Sequence, residues 1–137
     1  MPDVKDFNTA IIEEFRANGG TVGGPFAGTP VLLLTTTGAR SGLERVNPMV
    51  YRMEGDELYV FASKAGAPTD PDWFHNLVAH PEVTVELGGD RFRATADVLE
   101  GEERDRIYGA QAAGYPAFAD YQAGTDRVIP VVRLIRS

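Results

Sequence analysis

Apolar residues recur at helical spacing from Val4 to Phe15, which predicts an amphipathic helix over residues 3–18. Gly19 and Gly20 follow it and are typical of a helix end. Beyond this segment the pattern changes to short β-branched and apolar runs separated by glycine and proline, which is typical of strands.

Six such runs predict strands, and their order along the chain is Val31–Thr37, Arg45–Met53, Leu58–Ser63, Val83–Leu87, Phe92–Leu99 and Ile129–Ile135. Pro48 cannot donate to a ladder and therefore indicates an edge or a bulge. Three further helices are predicted over residues 71–80, 102–113 and 116–123, the second of them exposed because it is rich in Glu and Arg. Strands in mostly hairpin order favour an α+β fold, a small antiparallel barrel with peripheral helices.

The length of 137 residues suits one domain. We expect an N-terminal helix and loop over residues 1–24 and a single barrel domain over residues 25–137. A net charge of −7 disfavours nucleic-acid binding, and the absence of cysteine excludes disulfides and thiolate chemistry.

No apolar run is long enough to span a bilayer and no signal segment is visible, so we expect a cytoplasmic protein. Peripheral membrane contact is the lesser alternative, because the first helix is acidic.

The first candidate for chemistry is the loop Gly38-Ala39-Arg40-Ser41-Gly42, with Arg45 close behind it. Two glycines let backbone N–H groups approach an anion, and the arginines add donors that match phosphate or carboxylate oxygens. The loop matches neither a Walker motif nor a nucleophile elbow. The alternative is a plain hairpin loop with solvated arginines.

The second candidate is Ala62-Ser63-Lys64-Ala65-Gly66-Ala67-Pro68, where a lysine among small residues suits an anion or a flat ligand. Trp73, Phe74 and Asn76 follow on the next helix, and core packing is the plainer interpretation of the two aromatic residues. His75 and His80 are five residues apart, a spacing that points them in different directions and disfavours a shared metal.

The third candidate is the series Tyr115, Phe118 and Tyr121, which forms one aromatic stripe on a helix. The stripe suits either core packing or a lid over a flat ligand. From the residues alone, the sequence predicts a barrel that can bind an anionic, aromatic ligand.

Taken together, these segments resemble the deazaflavin-dependent nitroreductase family of actinobacteria. The matching stretches cover about residues 25–135 and are Leu34–Gly42, Arg45–Pro48, Ala62–Pro68, Asp72–Leu77, Thr125–Arg127 and Ile129–Val131. The resemblance implies a split β-barrel like that of flavin reductases. It also implies binding of coenzyme F-420, a deazaflavin whose tail carries a phosphodiester and a polyglutamate chain.

The resemblance places Arg40 and Arg45 at this tail and Lys64 at the phosphate region. The full set of cofactor-binding residues that it implies is Arg40, Ser41, Arg45, Asn47, Pro48, Met49, Ala62, Ser63, Lys64, Ala65, Trp73 and Asn76. No metal is implied.

The implied reaction is hydride transfer from the reduced deazaflavin to a small electron-poor acceptor such as a quinone, enone or nitroaromatic. Tyr115 and Tyr121 fall at family tyrosine positions and are the candidate catalytic residues, while Phe118, Tyr115 and Trp73 are the candidate substrate-binding residues. Phe118 replaces a tyrosine of the nitroimidazole-activating relative, so quinone or enone reduction fits better than nitro reduction. Alternatives are an FMN-binding split-barrel oxidoreductase and a deazaflavin-binding protein without turnover. Because split barrels often dimerise, a homodimer stays open.

Overall fold

A computed structural model describes residues 4–20, 30–63 and 69–136, with side chains from Thr9 onward. Its ten elements are α1 (Val4–Ala17), β1 (Val31–Thr37), β2 (Glu44–Glu54), β3 (Glu57–Phe61), α2 (Asp72–Ala79), β4 (Glu82–Leu87), β5 (Asp90–Val98), α3 (Gly101–Gly114), α4 (Pro116–Ala123) and β6 (Val131–Arg136). None of the described helices is both long and apolar enough to cross a membrane.

The strands form a closed barrel in the order β1-β2-β3-β6-β5-β4, and every neighbouring pair is antiparallel. The two hairpins β2–β3 and β4–β5 turn at the same end of the barrel, through Gly55 and Gly88, whose φ angles are +62° and +61°. The opposite end carries the β1–β2 loop and the connection from β3 through α2 to β4. This end holds the candidate site.

Alternating side chains of each strand fill the barrel interior. Leu32 and Leu34 of β1 meet Met49, Val60 and Val85 of the neighbouring strands inside the barrel, where all five are buried. The other face of β1 is covered as well, which explains why its sequence is a continuous apolar run rather than an alternating one.

Helices cover that outer face in two places. Ile11 and Phe15 of α1 pack on Val31 and Leu33 of β1. On the far side, α3 and α4 cover β3 and β6, and the cluster there contains Tyr59, Phe61, Leu99, Ile107, Tyr108, Phe118, Ile129 and Val131. The barrel therefore has one internal core and two external ones.

The predicted six-strand α+β barrel is confirmed, and most element boundaries agree within two residues. Two strands are shorter than predicted, since β3 ends at Phe61 and β6 begins at Val131. Pro130 supplies the reason. Its carbonyl accepts the Ala62 N–H at 3.0 Å, but proline has no N–H to return the bond, so the ladder stops there.

The expectation that the helix predicted over residues 102–113 is exposed was wrong for one face of α3. Arg104, Ile107, Tyr108 and Gln111 are all buried there. The guanidinium of Arg104 is accommodated there because it donates to the Ile129 carbonyl at 2.9–3.0 Å and to Gln122 Oε1 at 2.6 Å. Because these hydrogen bonds satisfy the buried arginine, one face of α3 belongs to the core although the sequence of the helix is polar.

Candidate active site

A cleft of about 700 Å³ opens at the barrel end that holds the β1–β2 loop. That loop, the start of β2 and the first turns of α2 form its walls, and the lining residues are Gly38, Ala39, Arg40, Ser41, Arg45, Asn47, Asp72, Trp73, His75 and Asn76. The site thus joins segments that lie more than 30 residues apart in sequence.

The loop holds its shape through its own hydrogen bonds. Gly38 N–H donates to the Leu43 carbonyl at 2.8 Å, and Gly42 N–H donates to the Gly38 carbonyl at 3.0 Å. Ser41 Oγ accepts from Leu43 N–H at 3.2 Å, so the hydroxyl keeps its own proton as a donor. Gly42 lies at φ +69°, where glycine is favoured, and a Cβ on Gly38 would lie 2.5 Å from Ser41 Oγ. The two predicted glycines therefore have distinct structural roles.

Asn76 fixes this loop to α2. Its Oδ1 accepts from the Ala39 N–H at 3.0 Å, and its Nδ2 donates to Thr36 Oγ1 at 3.2 Å. The side chain is buried at the base of the cleft, close to Trp73, which is also buried and packs into the barrel core. The family resemblance implied that Asn76 binds the cofactor, and the structure gives its side chain contacts that position the loop.

The cleft is locally cationic although the chain as a whole is acidic. Arg40 and Arg45 are both exposed, and neither forms an ion pair within the described part of the chain. Asp72 is the one carboxylate among the described lining residues, and His75 lies exposed beside it. Two unpaired guanidinium groups above a glycine-bounded loop can bind an anion of more than one charge.

The end of β3 is held by a residue from the loop before β6. Arg127 Nη2 donates to the Ser63 carbonyl at 2.8 Å, while its Nη1 donates to the Ala62 carbonyl at 3.1 Å and to Asp70 Oδ1 at 2.8 Å. These bonds fix the backbone of two predicted cofactor-binding residues. In the sequence, Arg127 is visible only as part of the stretch Thr125–Arg127, and no pattern indicates its contact with the end of β3.

The aromatic stripe does not line the cleft. Phe118 is buried between Phe61, Tyr108, Tyr115 and Tyr121, with ring centroids 5.4–6.4 Å away at steep angles. Burial raises the pKa of the Tyr108 phenol, whose hydroxyl donates to the Phe118 carbonyl. Tyr115 is 37% exposed and lines a separate cavity near the other end of β2, where Tyr51, Arg52 and Met53 lie.

The cleft therefore unites six of the predicted site residues, which are Arg40, Ser41, Arg45, Asn47, Trp73 and Asn76. The remaining predicted cofactor-binding residues that the structure describes, Pro48, Met49, Ala62 and Ser63, are not among its lining residues, and neither are Tyr115, Phe118 and Tyr121. Lys64 and Ala65 lie outside the described residues. Asp72 and His75 were not predicted, although their place on the tryptophan-bearing helix was visible. The described residues contain no His, Cys, Asp and Glu group that could hold a metal.

Comparisons with known proteins agree with this geometry. The model of the F420H(2)-dependent quinone reductase family matches residues 9–135. A Mycobacterium tuberculosis protein described as an F420H(2)-dependent quinone reductase is 37% identical over 128 residues, which cover 89% of this chain and 85% of the relative. A solved structure described as an F420-H2 dependent reductase is 42% identical with a TM-score of 0.70, covering 77% of this chain and 93% of its own.

A second solved structure, described as a domain-swapped dimer, is 38% identical with a TM-score of 0.72 and covers 96% of both chains. Together these matches confirm the resemblance to deazaflavin-dependent reductases, the split-barrel fold and the oxidoreductase class. The chain belongs to the F420H(2)-dependent quinone reductase family.

Proposed function

We propose that this chain reduces a quinone with a hydride supplied by reduced coenzyme F-420, and that the cleft binds the anionic tail of that coenzyme. Membership of the family makes the chain a deazaflavin-dependent oxidoreductase. The observation that supports the cleft as the binding site is the pair Arg40 and Arg45, both without an ion-pair partner among the described residues.

The donor set of the cleft fits this coenzyme. A phosphodiester and carboxylates need several donors in a row, and the cleft offers two guanidinium groups and the Ser41 hydroxyl. Asn47 adds an amide on the β2 wall. FMN carries a short phosphate tail and would not use donors that extend as far as Arg45.

When bound, the reduced deazaflavin supplies the hydride. The chain positions it. Trp73 presents an aromatic wall at the base of the cleft, and the Asn76 bridge keeps the anion-binding loop at a fixed distance from that wall. Arg127 fixes the Ala62–Ser63 backbone, which we propose borders the ring.

A quinone is the acceptor that best fits the chain. The Mycobacterium relatives are described as F420H(2)-dependent quinone reductases. Tyr115 is the proposed proton donor, because its ring is partly exposed and can exchange its proton with solvent. Tyr121 packs beside Phe118 against the outer core.

The test is a fluorescence titration of the protein with oxidised F-420 and, separately, with FMN, at two salt concentrations. Each charge-assisted bond contributes about 1.5 kcal/mol in an open cleft, so Arg40→Ala should weaken F-420 binding about tenfold. Arg91→Ala is the matched control, because Arg91 is exposed on β5 and does not line the cleft. Reduced F-420 is then mixed with menadione.

Tight F-420 binding that Arg40→Ala and salt weaken, followed by menadione reduction, supports the proposal. Tighter binding of FMN than of F-420 would identify FMN as the cofactor instead. Tight F-420 binding without acceptor reduction would make the chain a deazaflavin-binding protein.

We propose three further properties, which concern the domain division, the oligomeric state and the location of the chain. The barrel from residue 25 onward is the cofactor-binding domain, with residues 1–24 as an N-terminal helix and loop. A homodimer is supported by the relative described as a domain-swapped dimer. The absence of a membrane-crossing helix among the described residues is compatible with a cytoplasmic enzyme that contacts a membrane at most peripherally.

A further inference from the structure

Both terminal nitrogens of Arg127 bind the end of β3. Nη2 donates to the Ser63 carbonyl at 2.8 Å, while Nη1 donates to the Ala62 carbonyl at 3.1 Å and to Asp70 Oδ1 at 2.8 Å. The side chain is only 14% exposed, and the Arg127 carbonyl accepts from Gln122 Nε2 at 2.7 Å. Because these donors are engaged by protein oxygens, Arg127 acts on a ligand through the backbone that it fixes rather than by contact.

The two carbonyls that Arg127 binds belong to consecutive residues. Consecutive carbonyls of a strand point to opposite sides, yet those of Ala62 and Ser63 both point to one guanidinium. The chain therefore leaves strand geometry at this position, in agreement with the end of β3 at Phe61. Arg127 is the side chain that fixes this change of direction.

The same contact sets the direction of the Ser63 N–H. The Ala62–Ser63 peptide bond is trans, so this N–H points opposite to the Ala62 carbonyl and away from Arg127. Within the described ranges of the chain, no group accepts a hydrogen bond from it. Donation from the guanidinium to the Ala62 carbonyl also polarises the peptide group, which strengthens its N–H as a donor. The Ser63 N–H is thus a fixed donor that keeps its proton for a ligand.

This N–H faces an opening in the barrel wall. β3 lies between β6 and β2, and the guanidinium comes from the loop before β6, so the Ser63 N–H points toward β2. The β2–β3 ladder stops at the pair Tyr51 and Val60. Continuing its register would place Pro48 opposite Ser63, but these two described residues are not paired. Asn47, the next residue of β2, lines the cleft, so the opening adjoins the cleft.

We propose that Arg127 is a positioning residue for the deazaflavin ring, which holds the Ser63 N–H ready to donate to a carbonyl oxygen of that ring. The inference deepens the proposed function and rests on it for the identity of the ligand. A donor that is fixed before the ligand arrives needs no reorganisation when the ligand binds. Arg40 and Arg45 bind the tail, whereas Arg127 sets the orientation of the ring through the backbone.

The test compares Arg127→Lys with the wild type. Lysine keeps a positive charge beside Asp70 but lacks the planar fork that reaches two carbonyls. Arg133→Lys is the matched control, because Arg133 is also partly buried and paired, with Asp97 at 2.7 Å, and does not line the cleft. Amide hydrogen exchange followed by NMR reports on the Ser63 N–H with and without oxidised F-420. Fluorescence titration gives the F-420 Kd, and steady-state assays with menadione give kcat and KM.

In the wild type, F-420 should slow exchange of the Ser63 N–H about tenfold, because the free donor gains an acceptor. In Arg127→Lys this protection should disappear and kcat should fall about tenfold, because the ring is no longer held in one orientation. The F-420 Kd and the menadione KM should change less than about threefold, since the arginines of the cleft are intact. Both variants should lower Tm, but Arg133→Lys should keep the wild-type protection and kcat.

Exchange of the Ser63 N–H that F-420 does not slow in the wild type overturns the inference. So does an Arg127→Lys variant that keeps both the protection and the kcat of the wild type, or an Arg133→Lys variant that loses both. Failure of the proposed function is separable. A wild type that binds F-420 but does not reduce menadione contradicts the proposed reaction, and the exchange experiment still decides whether Arg127 positions the ring.

Discussion

Replacing Asn76 should lower both the stability of the barrel and the affinity of the cleft for F-420, and a second variant distinguishes the two effects. Asn76→Leu keeps the size of the side chain but removes the bonds to Ala39 N–H and Thr36 Oγ1. Each bond contributes about 1 kcal/mol net, and the Thr36 hydroxyl, which belongs to a buried residue, would lose its partner. Ala39 is exposed, so its N–H can be rehydrated. The expected loss is about 2 kcal/mol, or about 8 °C in Tm for a domain of this size.

Thr36→Val is the matched control, because it removes only the Thr36 bond and leaves the loop fixed to α2 through Ala39. We expect a loss of about 1 kcal/mol, or about 4 °C, with F-420 affinity changed less than about twofold. In Asn76→Leu the Ala39–Gly42 turn is released from α2, so F-420 affinity should fall about tenfold or more. Urea unfolding and a fluorescence titration of both variants measure the two effects. Equal F-420 affinities in the two variants would refute the positioning role of Asn76.

Three other changes have expected outcomes. Gly38→Ala should weaken F-420 binding, because its Cβ would meet a loop hydroxyl at 2.5 Å, whereas Gly89→Ala, with open space around it, should leave the titration unchanged. Glu86→Gln should lower the free energy of unfolding at pH 7 by about 0.5–1 kcal/mol, since the Arg16 hydrogen bond lowers the Glu86 pKa; in urea melts this difference should be complete above pH 4.5 and fade as the pH falls through the lowered pKa of Glu86. Phe118→Tyr should lower the free energy of unfolding, because it places a hydroxyl among the packed rings of Phe61, Tyr108 and Tyr121, and an unchanged urea midpoint would contradict this.

The barrel could be predicted because its rules are local. The continuous apolar run of β1 follows from burial on both faces, and the Gly88-Gly89 turn joins two strands at a position where φ is positive. Even the shortened ends of β3 and β6 trace to Pro130, which is visible in the sequence. The periodicity of apolar residues does not indicate that Pro130 ends both strands, because this effect appears only when β6 is placed beside β3.

The site was harder to predict, because its contacts join distant segments. Asn76 meets Ala39 across 37 residues, and Arg127 meets Ala62 across 65 residues. No pattern within one element indicates such a partner. The aromatic stripe illustrates the same limit, since its spacing is right for a helix face, yet only the packing of α4 shows that Phe118 points into the core.

The charge distribution explains how an acidic chain can bind an acidic cofactor. Most described arginines are paired with carboxylates away from the cleft, namely Arg16, Arg52, Arg93, Arg104, Arg106, Arg127 and Arg133. Those pairs neutralise each other at short range, and at physiological salt the remaining negative charge is screened beyond about 8 Å. An anion at the cleft therefore responds mainly to Arg40 and Arg45 rather than to the net charge of −7. Affinity for a polyanion thus depends on the arginines left unpaired at the cleft, so removing a paired arginine should affect stability, whereas removing Arg40 or Arg45 should affect binding.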